Sequence, residues 1–80
     1  MTRTLMHDAD RIFKILRTTD GWIEHNDMVR RASLRPPLRS DERWHIVAVN
    51  RAVEQLKRAG HLVERREEPG GTFYRLVVER

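Results

Sequence analysis

Cysteine is absent from this 80-residue chain. That excludes disulfide frameworks, thiolate zinc sites and cysteine nucleophiles. Long apolar runs are missing as well. The longest is Ile46–Val49, so no membrane span, signal peptide or stop-transfer segment is expected. Aromatic residues are scarce, with two Trp, two Phe and one Tyr. That is a thin inventory for stacking single-stranded RNA bases. Lysine is almost absent: only Lys14 and Lys57 stand beside fourteen Arg, and the net charge is +4. Arginine forks onto phosphate and guanine edges better than lysine does. Hydrophobic residues make up 39% of the chain, enough for one small core. A second core, or the deep walled cleft of an enzyme, is not expected. Residues 1–80 read as one domain.

The hydrophobic period predicts three helices and a hairpin. Leu5, Ala9, Ile12, Phe13 and Leu16 form a helical stripe over Leu5–Thr18, ended by Asp20-Gly21. Trp22-Ile23 reads as a short extended piece with both side chains inside. A second helix is expected over Asp27–Leu34, capped by Asn26 or Asp27, with Met28, Val29, Ala32 and Leu34 as its apolar residues. Pro36-Pro37 stops it. The third helix is expected over Asp41–Ala59, capped by Ser40 or Asp41, with Gly60 just past its end. Its buried seam is Ile46, Val49, Val53 and Leu56. Its outer side carries Trp44, Val47, Ala48, Arg51, Glu54, Gln55 and Arg58, flanked by Arg43 and Asn50. Beyond Gly60 the period becomes two. Pro69-Gly70-Gly71 is a turn between β-prone runs, and Tyr74, Leu76 and Val78 share the core face.

The stretch from Asn50 to Arg66 has the form Arg-apolar-apolar-x-x-Leu-x-x-x-Gly followed by Leu-Val-x-Arg. Together with Gly71–Leu76 and Asp20–Ile23, it resembles the winged helix-turn-helix domain of MarR-type and related small regulators. The resemblance implies an α+β winged helix: a three-helix bundle with a short strand between helices 1 and 2 and a C-terminal β-hairpin wing. It also implies sequence-specific binding of double-stranded DNA by a small cytoplasmic, nucleoid-associated transcriptional regulator or a phage- or plasmid-type control protein. The chain differs from that pattern in its Pro-rich connection Leu34–Ser40, its long third helix and the acidic pair Glu67-Glu68 at the wing tip.

On this reading the third helix enters the major groove. Arg43, Asn50 and Arg51 are the candidate base readers, because Arg pairs with guanine and Asn with adenine. Val47 or Trp44 suits a thymine methyl, although Trp44 also suits packing beneath Pro36-Pro37-Leu38. Arg30 and Arg31 on the second helix, Arg35 and Arg39 in the loop, and Arg65, Arg66 and Arg75 on the wing are candidate phosphate contacts. Alternation along a strand lets at most one of Arg65 and Arg66 face DNA. Such a module covers only about 600–1,000 Å² of interface, so a homodimer or a second protein partner is expected to supplement it. The alternative is a protein-interaction module using Trp44, Val47 and the wing. No cofactor is expected. His7, His25, His45 and His61 lack metal-ligand spacing.

Overall fold

The computed structural model describes residues 7–77. The expectations placed on Leu5 and Val78 lie outside them. The order is α1 (His7–Thr18), β1 (Ile23–Glu24), α2 (His25–Arg31), α3 (Trp44–Arg58), β2 (Leu62–Glu68) and β3 (Gly71–Val77). These make an α+β protein of three helices and one antiparallel sheet with strand order β1-β3-β2. The described residues contain no helix long and apolar enough to cross a membrane.

α1 buries Ala9, Ile12 and Leu16. Asp8 and Asp10 lie in its first turn and Arg17 in its last, which matches the helix dipole. The second helix starts two residues earlier than the sequence predicts. Its cap is Glu24, not Asn26 or Asp27. The Glu24 backbone is extended, and its Oε1 accepts from the amides of Asn26 (3.0 Å) and Asp27 (3.2 Å). That side chain also crowds the start of β3. Gly71 has φ 143°, a conformation that favours glycine, and a Cβ there would stand 3.1 Å from Glu24 Oε2, so the Glu24 side chain would have to give by a few tenths of an ångström.

α2 and α3 end in the same way. After α3, the Gly60 amide donates to Lys57 O and the His61 amide to Leu56 O, each at 3.0 Å. This is a Schellman motif, with Gly60 at φ 98° in the left-handed position. After α2, the Ser33 amide donates to Arg30 O and the Leu34 amide to Val29 O, each at 3.1 Å. Ser33 takes the left-handed position with φ 55°. The motif at Ser33 therefore ends α2 at Arg31, before the two prolines are reached.

α3 is shorter than expected. Neither Ser40 nor Asp41 caps it. Asp41 Oδ1 accepts from the Arg43 amide at 2.8 Å and Ser40 Oγ donates to Pro37 O at 3.2 Å, so both shape the approach to the helix. The first helical residue is Trp44. Its buried stripe is Val49, Ala52, Val53 and Leu56. Ile46, expected in the seam, is 40% exposed. Trp44 and Ala48, expected outside, pack against the core. The helix is rolled relative to the expected phase because Ala52 lies on the inner side with no exposed surface.

In the sheet, Ile23 pairs with Tyr74 and Val63 with Leu76. Ile23, Val63 and Tyr74 are buried and Leu76 packs against them. Pro69 and Gly70 alone make the turn, because Glu68 pairs directly with Gly71. Trp22 is half-buried, not inside. Its ring lies on the opposite sheet face, between the guanidiniums of Arg66 (4.6 Å) and Arg75 (4.7 Å).

Candidate nucleic-acid interface

The roll of α3 decides which residues it offers to a partner. Ile46, Val47, Asn50, Arg51, Glu54, Lys57 and Arg58 are exposed along one strip, while Gln55 is partly covered. Val47, Asn50 and Arg51 hold the positions the sequence predicts. Ile46 is added to the strip. A wheel weighted toward large apolar residues draws Ile46 into the seam and undercounts the alanines.

On one flank of the strip is a cleft of about 310 Å³ between the start of α1, the Pro-rich loop and α3. Arg35, Arg39, Arg51, Trp44 and Val47 all line it. Trp44 thus packs against the core and forms part of the cleft wall, while Leu38, expected to help cover it, is fully exposed. Asp8 and Asp41 lie at the same cleft. Among the described residues, Arg35, Arg39, Arg43 and Arg51 make no ion pair with a carboxylate. Four guanidiniums therefore sit at or beside the first turns of α3 with their charge uncompensated at hydrogen-bond range.

On the other flank, α3 meets the hairpin in a second groove of about 290 Å³, lined by Asn50, Ile46, His45, His25, Arg65 and Thr72. Arg65 reaches this side because it alternates with the outward Glu64 and Arg66. It pairs with Glu67. The sequence argument allows one of Arg65 and Arg66 to face α3, and the register makes it Arg65. Arg66 and Arg75 go to the opposite sheet face. There Arg66 pairs with Glu68 at 2.7 Å and Arg75 Nε with Glu64 at 3.1 Å. The structure does not bring these two to the cleft that holds Arg35, Arg39 and Arg51. Arg30 and Arg31 are both held by Asp27.

Comparison of the chain with family models, with curated proteins and with solved structures gives no match. The assignment of a role therefore rests on geometry and charge.

Two titrating groups line the second groove. His25 Nε2 and His45 Nδ1 lie 2.9 Å apart, a contact that no sequence spacing foretells because twenty residues separate them. Burial, then His45, holds the His25 pKa below its ordinary value, with Glu24 opposing. The folded chain thus binds fewer protons at His25 than the unfolded chain does. Stability from this group is present above the unfolded value of 6.5 and is lost as pH falls from there toward the lowered folded value. Burial raises the Tyr74 hydroxyl, and Arg65 beside it works the other way. Stability from Tyr74 is therefore lost as pH rises above 10.0. Among the described residues no group of three or more His, Asp or Glu is placed to hold a metal ion.

Proposed function

We infer that the protein is a winged helix-turn-helix domain that binds double-stranded DNA sequence-specifically, with α3 in the major groove and the β2–β3 hairpin as the wing. One observation carries this reading: the exposed strip of α3 runs between two guanidinium-bearing clefts, and among the described residues the arginines of the first make no ion pair with the Asp8 and Asp41 that line the cleft beside them. A duplex groove presents that pattern in reverse, with base edges between two phosphate rails. Asn50 and Arg51 then read adenine and guanine edges. Val47 and Ile46 meet thymine methyls, Arg35, Arg39 and Arg43 take phosphates on one side, and Arg65 takes one on the other. Arg66 and Arg75 brace Trp22 and leave the interface. The strand order and element order support the family reading that the sequence resemblance suggests. The small contact area of one module argues for a dimer or a second protein beside it, and a regulatory role is what the sequence resemblance implies.

A second reading is supported by the exposed apolar side chains. Leu38 is fully exposed, Val47 is 51% exposed and Ile46 is 40% exposed, which suits a protein surface.

Titration of labelled random and genomic-fragment duplexes with wild type and Arg51→Ala, at two salt concentrations, separates the two. If about five phosphates are neutralised, log K falls against log salt with a slope of roughly −4 to −5. Arg51→Ala is expected to weaken specific binding by about 1–3 kcal/mol. Absence of binding at low salt removes the DNA reading and leaves the protein-interaction one.

A further inference from the structure

The His25–His45 contact lies inside a groove that Arg65, Asn26, Asn50 and Thr72 line with hydrogen-bond donors and Glu24 with one carboxylate. Two neutral imidazoles carry one N–H each. The 2.9 Å contact uses one of these between His25 Nε2 and His45 Nδ1. The remaining ring nitrogens, His25 Nδ1 and His45 Nε2, make no hydrogen bond among the described residues. In the neutral pair one of them is N–H and the other is a lone pair, whichever tautomer holds. One added proton changes this without breaking the contact. The shared hydrogen bond stays, both remaining nitrogens become donors, and the pair carries a single positive charge. A second proton would put two N–H groups face to face and break the contact.

We propose that the His25–His45 pair, together with Arg65, is a phosphodiester-binding subsite that takes up one proton when the anion docks. Naming the anion as a duplex phosphate rests on the DNA reading above, and the chemistry of the subsite does not. Asn50, Asn26 and Thr72 line the same groove and supply neutral polar groups. The charged and titrating groups that face the pair are Glu24 from β1, Arg65 and Glu67 from β2, and Tyr74 from β3, whose ring lies 6.3 Å from that of His25. Glu24 is engaged by two α2 amides and Glu67 by Arg65. Asp27, on α2 itself, is taken by Arg30 and Arg31. Burial, then His45 and more weakly Arg65, disfavour the charged form of His25, with Glu24 opposing. An arriving phosphate offsets the burial and Arg65 effects, since it exchanges with Glu67 for Arg65 and supplies the counter-charge that the imidazolium lacks.

The test is an NMR titration of the imidazole protons of the whole chain from pH 5 to 8.5, at one ionic strength, in chloride and in dimethyl phosphate. Duplex affinity is measured over the same pH range for wild type and His45→Gln. The His25 titration is expected to move up in dimethyl phosphate and the His45 resonances to change with it, while the resonances of His61, whose ring is tilted against Phe13 at 4.4 Å, are the same in both anions. Duplex affinity is expected to rise by up to about tenfold per pH unit on acidification, the slope for one proton taken up, and His45→Gln flattens that slope. Identical titrations in both anions overturn the subsite, and that readout needs only the wild-type fold. Binding of the duplex with equal slopes in both proteins also overturns it while leaving the DNA reading intact. A shift in dimethyl phosphate with no duplex binding at any pH supports the subsite and sinks the DNA reading.

Discussion

The arginines around the start of α3 and those of the hairpin are the same residue in opposite circumstances. Arg35, Arg39, Arg43 and Arg51 pair with no carboxylate among the described residues. Arg65, Arg66 and Arg75 each pair with one from β2. The difference follows from local sequence. Strand β2 reads Leu-Val-Glu-Arg-Arg-Glu-Glu, and period-two alternation puts Arg65 and Glu67 on one face and Arg66 and Glu68 on the other. In local sequence the loop and the helix start have only Asp41 and Glu42 beside their arginines; the Asp41 side chain is occupied by the Arg43 amide, and Asp8 of α1, which lines the same cleft, pairs with none of them among the described residues. Arginine count alone thus overstates the charge a partner meets. The hairpin's guanidiniums are occupied locally, only Arg75–Glu64 joining two strands, and those near α3 make no ion pair among the described residues.

The two regions also differ in what anchors them, and the largest expected effect probes this. α3 buries four side chains, whereas β2 buries only Val63. Leu56→Ala, at a position with no exposed surface, is expected to cost about 2–5 kcal/mol of unfolding free energy. Leu62→Ala, at a position 54% exposed, is expected to stay within about 0.5 kcal/mol. Denaturant melts of both variants check the contrast, and equal losses would break it.

Trp22→Ala comes next. It removes a half-buried ring held between two guanidiniums. Each such contact contributes about 0.5–1 kcal/mol at an exposed site, so a loss of about 1–2 kcal/mol in stability is expected. Because Trp22 lies on the sheet face opposite Arg65, duplex affinity should not change in the folded variant. A drop in affinity matching that of Arg51→Ala would place the outer sheet face in the interface.

Much of this arrangement was legible in the sequence, and what was not has a common cause. The end of α3 at Gly60 and the two-residue period of β3 follow from local chemistry that a single segment carries. The fates of Trp22, Glu24 and Arg65 do not. Trp22 meets Arg75 only because β1 pairs with β3, which lies some fifty residues later. Glu24 caps α2 from the end of that same strand. The cleft of Arg35, Arg39 and Arg51 needs the path of a proline-rich loop that no period describes. Ile46 was misplaced for a different reason: its size suggests burial, yet close helix packing selects the small Ala52. The left-handed Ser33 was illegible because serine gives no sign of it, whereas Gly60 announces the same motif openly. Ser33→Gly is therefore expected to raise stability by about 1 kcal/mol, read from the shift in melting temperature, without altering the loop that carries the arginines.

The smallest effects divide the hairpin itself. Exposed ion pairs of this kind contribute about 0.2–1 kcal/mol, so neither Glu64→Gln nor Glu67→Gln should move the melting temperature far. Their effects on DNA should nonetheless differ. Glu64→Gln releases Arg75 on the outer face, beside Trp22 and outside the proposed interface. The salt slope should then match wild type. Glu67→Gln releases Arg65 into the groove between the hairpin and α3. That adds one uncompensated guanidinium to the second phosphate rail, so affinity should rise and the slope steepen by about one. Both substitutions raise the net charge by the same amount, so bulk electrostatic attraction predicts equal responses. Equal slopes would mean that the two faces of the hairpin are equivalent to DNA, and the one-sided geometry proposed for the interface would fail.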